Sequence, residues 1–165
     1  MDPVHFTGKE ILDMAVRIEE NGMRFYADAA KGAKSKDLRE LFKALSEDEG
    51  THIKMFLDLK KLLVDNTTEG FDPYLDEAQS YLRTMADAEV FTNPEAGKET
   101  ARALKSEEEA IKLAIGMEKD SLLFYYELER MIREKDRKLV ESIIEQEKDH
   151  VKRLTALQAN LFGGL

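Results

Sequence analysis

The sequence predicts an all-α protein: an antiparallel four-helix bundle of two helical hairpins joined by a long crossover that contains a short helix. Three observations carry this. Four long segments repeat apolar residues at spacings of three and four, while the two-residue alternation of strands is nearly absent. Only 9 Gly and 3 Pro punctuate 165 residues, 36% of which are charged, a composition that favours a helical domain over a sandwich or a disordered chain. The halves also repeat one another. Ala15, Glu19, Phe25 and Tyr26 return as Ala114, Glu118, Phe124 and Tyr125, and Glu47, Glu49, His52 and Lys54 return as Glu145, Glu147, His150 and Lys152.

The first helix opens at Thr7-Gly8-Lys9-Glu10, a capping-box pattern, and runs to about Lys34. Its stripe is Leu12, Ala15, Gly22, Tyr26, Ala29 and Ala33. The second runs from about Ser35 to Asp65 on Leu38, Phe42, Leu45, Phe56, Leu59 and Leu63. Gly70, Pro73, Pro94 and Gly97 then break the pattern, which makes residues 66–105 a crossover with one short helix at 75–89. Its Phe71, Tyr74, Tyr81 and Phe91 are expected to cover the bundle, with a subunit contact as the alternative. The third long helix opens with another capping box, Ser106-Glu107-Glu108-Glu109, and carries Ile111, Ala114, Ser121, Tyr125, Leu128 and Ile132. The fourth starts near Asp136 and carries Val140, Ile143, Leu154, Leu157 and Leu161 before Gly163-Gly164 stops it. Helices of roughly 25 to 30 residues are about 40 Å long, the length of a bundle. Short links make each pair a hairpin, and the chain reads as one domain over residues 1–165.

Composition excludes several functions. With no Cys there is no disulfide, no thiolate metal site and no cysteine nucleophile. A net charge of −9 argues against a nucleic-acid or anionic-membrane surface, and the apolar runs are too short to span a bilayer. Met1-Asp2-Pro3-Val4-His5 lacks the basic and apolar regions of a signal peptide, so a cytoplasmic address is expected.

Each apolar stripe has a gap, and the gaps hold the chemistry. Glu19 lies between Ala15 and Gly22, Glu49 and His52 between Leu45 and Phe56, Glu118 between Ala114 and Ser121, and Glu147 and His150 between Ile143 and Leu154. Four carboxylates and two imidazoles thus occupy core positions near mid-helix, where antiparallel packing brings them level. Such a group is very costly to bury unless it is neutralised. Two divalent cations balance four carboxylates, and Glu-x-x-His places both side chains on one helix face. Adjacent Glu20 competes with Glu19, but the repeat match to Glu118 and the spacing to Tyr26 select Glu19. His5 reads as solvent-exposed. Tyr26 and Tyr125 lie on the same stripes two turns away. Core packing with a satisfied hydroxyl is the expected role, and a hydrogen bond into the metal site or a redox role is the alternative. Each imidazole needs an acceptor for its outer N–H. Asp48, Gln146, Asp120 and Asp149 are near in sequence, and Asp48 facing His150 is the preferred pairing. Oxygen-rich donors with one nitrogen per ion suit iron or manganese, with zinc as a possible substitute.

These residues identify a resemblance. Ala15-Val-Arg-Ile-Glu19 with Phe25-Tyr26, Glu49-Gly-Thr-His52, Ala114-Ile-Gly-Met-Glu118 with Phe124-Tyr125, and Glu147-Lys-Asp-His150 resemble the rubrerythrin-like branch of the ferritin-like di-iron proteins. The resemblance implies a ferritin-like bundle holding two iron ions (Fe2+/Fe3+) on Glu19, Glu49, His52, Glu118, Glu147 and His150, with Glu19 and Glu118 terminal or bridging. It implies a homodimer that reduces H2O2 or O2 with electrons from an external donor. Ferroxidase or iron-handling chemistry, and a non-catalytic metal-stabilised bundle, are the alternatives. Two departures stand out. Rubrerythrins carry a further ligand Glu one turn after the helix-three Glu, where this chain has Ser121, and they carry a cysteine-ligated rubredoxin domain, which a chain without Cys cannot form. Both count against rubrerythrin-type peroxidase activity more than against a di-iron site.

Overall fold

Among the described residues, five helices of eight residues or more position the site. They are α1 (Gly8–Gly32), α2 (Lys36–Leu62), α3 (Ala96–Ala103), α4 (Glu107–Met131) and α5 (Glu134–Phe162). They come from a computed structural model that describes residues 7–62, 80–82, 84, 95–132 and 134–163. α1 packs chiefly on α2, and α4 on α5. The two hairpins then meet through α1 against α4 and α2 against α5.

The helix ends follow local chemistry. Thr7 caps α1 by accepting from the Glu10 N–H, and the Glu10 side chain accepts from the Thr7 N–H, completing the capping box. Ser106 caps α4 by accepting from the Glu109 N–H. The return bond differs from the predicted box, because Glu109 accepts from the Lys105 N–H, one residue earlier. At the tight turn into α2, the Leu38 N–H donates to Ser35 Oγ at 3.3 Å. Glu107 Oε1 accepts from the Lys34 and Ser35 N–H groups at 2.7 and 2.8 Å. A carboxylate from the second hairpin therefore satisfies backbone donors at the α2 N-terminus, where negative charge is favoured.

Nearly all the predicted stripe residues are buried, in two apolar clusters. One holds Leu12, Ala15, Phe56, Leu59, Phe124, Tyr125, Leu128, Val140 and Ile143. The other holds Tyr26, Ala29, Leu38, Phe42, Leu45, Ile111, Ala114 and Leu154. Each large side chain so buried contributes about 1.5–3 kcal/mol. Ser121 is only half-buried, and Leu161 is 36% exposed. The second cluster reaches no further along α5 than Leu157, so the last turn of that helix has left the core. Leu63 lies outside the described residues.

The crossover brings a correction. Most of the predicted helix at 75–89 lies outside the described residues, as do Phe71, Tyr74 and Phe91. Within it, residues 80–82 and 84 are helical, Tyr81 is half-buried and Leu82 is fully buried in the first cluster. Pro94 and Gly97 signal a break, yet Gly97 lies inside α3. There glycine serves close packing rather than a turn. A Cβ at Gly97 would sit 2.0 Å from the Asn21 carbonyl oxygen, so the α3 backbone rests directly on α1.

Substituting Gly97→Ala forces α3 away from α1. The change is expected to cost about 1–3 kcal/mol, the usual range for overpacking. Chemical denaturation checks this, and a stability equal to the parent's would mean that the two backbones do not touch.

Candidate metal centre

Between the two apolar clusters the stripes change from hydrocarbon to carboxylate and imidazole. Glu19 is 2% exposed, Glu49 3%, His52 0%, Glu118 2%, Glu147 0% and His150 2%. α1 and α4 each contribute one Glu, while α2 and α5 each contribute Glu and His three residues apart. All six predicted residues thus come together.

They form two overlapping groups, each able to hold one metal ion. Donor atoms of Glu19, Glu49, His52 and Glu147 lie within 4.8 Å of one another, and so do those of Glu49, Glu118, Glu147 and His150. Glu49 and Glu147 belong to both groups, whereas Glu19 and Glu118 belong to one each. The sequence left Glu19 and Glu118 as terminal or bridging. The geometry gives each of them to a single group and makes the Glu-x-x-His carboxylates common to both.

The imidazoles aim one nitrogen inward. His52 Nδ1 lies 2.8 Å from Glu147, 3.4 Å from Glu19 and 3.4 Å from Glu49. His150 Nδ1 lies 3.2 Å from Glu147 and 3.6 Å from both Glu49 and Glu118. Close as they are, both Nδ1 atoms and both Glu147 oxygens are buried without a hydrogen-bond partner. Orphaned buried donors are rare. Here they converge on two points, as a set of oxygen and nitrogen ligands does around cations.

The outer atoms are held from behind. His52 Nε2 is 3.3 Å from Gln146 Oε1, and His150 Nε2 is 3.3 Å from Asp48 Oδ2, the predicted pairing. Asp120 and Asp149 are exposed, and neither imidazole is placed against them. Tyr26 donates its hydroxyl proton to Glu118 Oε1, and Tyr125 donates to Glu19 Oε1. Both tyrosines are therefore core residues and hydrogen-bond donors to the site. Arg153 Nη1 lies 3.3 Å from Asp48 Oδ2, a contact that sequence reasoning missed. Its only signal was position, one turn after His150 on the same helix.

The sequence matches the rubrerythrin family over residues 10–158. The chain belongs to that family. The fold is similar to that of a crystal structure from Thermotoga maritima, described as a ferritin-like diiron-carboxylate protein, with a TM-score of 0.73. The two are 26% identical, and the match covers 94% of this chain and 97% of that one. No curated protein matches the sequence. No described helix is long and apolar enough to cross a membrane.

The buried groups of this rubrerythrin-family site shift one another's proton affinity. Burial lifts the Glu49 carboxyl well above the usual range, and the Glu19 and Glu147 charges add to the shift. Burial likewise pushes Glu118 up to about 8, with Glu147 contributing. Burial opposes charge on the imidazoles, but the close carboxylates outweigh it. Glu147 and Glu19 raise His52 to about 11, and Glu118 and Glu147 raise His150 to about 10. Burial and the Glu19 charge push Glu147 up, yet the flanking imidazoles win and hold it below its ordinary value. Burial also raises both tyrosines, which keeps their hydroxyls as donors. Raised carboxyls and imidazoles thus favour protons where cationic charge fits, so loading metal displaces protons.

The signs agree on a pH dependence. The histidines bind protons more tightly in the folded state than at their ordinary 6.5, so their stabilisation is complete below 6.5 and fades as pH rises towards 10 and 11. Glu118, protonated up to about 8 rather than 4.5, costs stability as pH rises through that window. Glu147 has the opposite sign, but its window lies below 4.5. The metal-free protein is therefore expected to lose thermal stability steadily from about pH 6.5 to 10, and protein loaded with divalent metal to lose much less. Melting curves at several pH values check this. Parallel curves for the two forms would contradict it.

Proposed function

We propose that the protein is a di-iron carboxylate oxidoreductase that reduces peroxide or dioxygen with electrons from an external donor. Glu19, Glu49, His52, Glu118, Glu147 and His150 are its metal ligands. The observation that carries this reading is the pair of buried four-residue groups sharing Glu49 and Glu147. Family membership supports it, as does similarity to a protein described as a diiron-carboxylate protein. Manganese or zinc are substitutes the donor set accommodates.

Two adjacent iron ions, when bound, supply two electrons to an oxidant and polarise it as Lewis acids. The chain supplies the rest. Glu49 and Glu147, common to both donor groups, would hold the two ions as a pair. Tyr26 and Tyr125 hold one oxygen of Glu118 and of Glu19 by hydrogen bonds, so each terminal carboxylate keeps its orientation. The apolar clusters on either side, with Phe56 and Tyr125 facing one end and Tyr26 and Phe42 the other, limit water at the reacting atoms. With no Cys, this sequence has no thiolate-bound redox centre, and the electrons come from outside it.

Anaerobic loading with two Fe(II) per chain followed by H2O2 is expected to give rapid oxidation and a ferric absorption band. Glu118→Ala is expected to abolish turnover while helix content is retained. If metal raises the melting temperature but oxidants leave the loaded protein unchanged, the site is structural and the redox reading fails. Light scattering separates catalysis from storage. A dimer fits the enzyme, and a many-subunit cage fits iron storage.

A further inference from the structure

The internal repeat makes the two halves of the site nearly equivalent, but the residues behind the two imidazoles differ. Glu19 matches Glu118, Glu49 matches Glu147, His52 matches His150 and Tyr26 matches Tyr125. The residue before each motif Glu is Asp48 in one half and Gln146 in the other. Those two are the side chains facing the outer imidazole nitrogens, each across the hairpin boundary. Asp48 on α2 faces His150 on α5, and Gln146 on α5 faces His52 on α2.

The orientation of Gln146 is settled by its surroundings. Its Nε2 donates to the Ser142 carbonyl oxygen at 3.2 Å, which leaves Oε1 as the neutral acceptor for His52. Asp48 offers His150 a carboxylate instead. Arg153 also lies against Asp48, but it is shared with Asp149, 3.9 Å away, so it steadies Asp48 while dividing its charge between two acids. A carboxylate behind a ligating imidazole raises the ligand's basicity and fixes its tautomer more strongly than a neutral amide does, and such partners tune metal affinity by about 10–100-fold.

We infer that the two metal positions are unequal, and that Asp48 makes the His150 position the tighter one and the first to fill. This rests on the di-metal reading of the site. Asp48 is here a positioning residue that acts through His150. The inequality also separates roles, since the ion at the Gln146-backed position is the more readily exchanged.

Zinc titration of protein labelled with 15N in its three histidines tests this without any turnover assay, with His52→Gln and His150→Gln variants assigning the ring signals. At one Zn(II) per chain, the His150 ring is expected to shift while most of the His52 signal stays at its metal-free position. Asp48→Asn is expected to weaken the first binding step by about 10–100-fold and to bring the two rings into step. Gln146→Glu gives His52 a carboxylate of its own and is expected to equalise the steps from the other side, so the test survives if one variant misfolds. Two rings that shift in parallel in the parent protein overturn the inference, as does an order unchanged by either variant. No response of either ring at two or more equivalents overturns the metal-centre reading itself.

Discussion

The structure depends on one electrostatic constraint: four carboxylates and two imidazoles are held at one level inside a helical bundle, out of reach of water. An isolated ion so placed costs several kcal/mol even after relaxation. Six such groups are tolerable only if their charges cancel locally. Protons or bound cations can each supply the positive charge that the carboxylates need. Apolar clusters above and below supply the stabilisation that offsets the polar layer.

That constraint explains why the two hairpins are joined at the site rather than merely stacked there. Tyr26 of the first hairpin donates to Glu118 of the second, and Tyr125 of the second donates to Glu19 of the first. The imidazoles follow the same reciprocal rule, each backed by a residue of the other hairpin. A third link lies at the end of the bundle, where Glu107 accepts from backbone donors of the first hairpin's turn. Separating the hairpins would strand buried hydroxyls, carboxylates and ring nitrogens together. Such groups behave as a network in which loss of one member leaves the others unsatisfied.

The bundle and all six candidate ligands were legible in the sequence, because both are written in helical period. A charged residue inside an apolar stripe is visible without a structure, and the repeat selected Glu19 over Glu20. The pairing of Asp48 with His150 was also within reach, since a residue adjacent to a motif Glu points towards the neighbouring helix. That Glu49 and Glu147 belong to both donor groups was not, because it depends on how closely the helices approach one another. α3 went unread for a related reason. Gly97 has the same letter whether it ends a helix or lets two backbones meet, and only its contact with Asn21 tells the cases apart. Arg153 escaped because a basic residue among many on a charged helix carries no period.

The small residues one turn beyond the terminal carboxylates complete the charge argument. Gly22 follows Glu19 and Ser121 follows Glu118 at matching places in the repeat. A Cβ at Gly22 would meet the Glu49 side chain at 3.6 Å, so this position lies against a carboxylate of the site. The resemblance to rubrerythrins would put another Glu at position 121, raising the acidic count to five against two ions. With Gly22 and Ser121 the count stays at four, the number that two divalent cations cancel without a further ligand. Four carboxylates and two neutral imidazoles would match the charge of a divalent pair with no further acidic side chain.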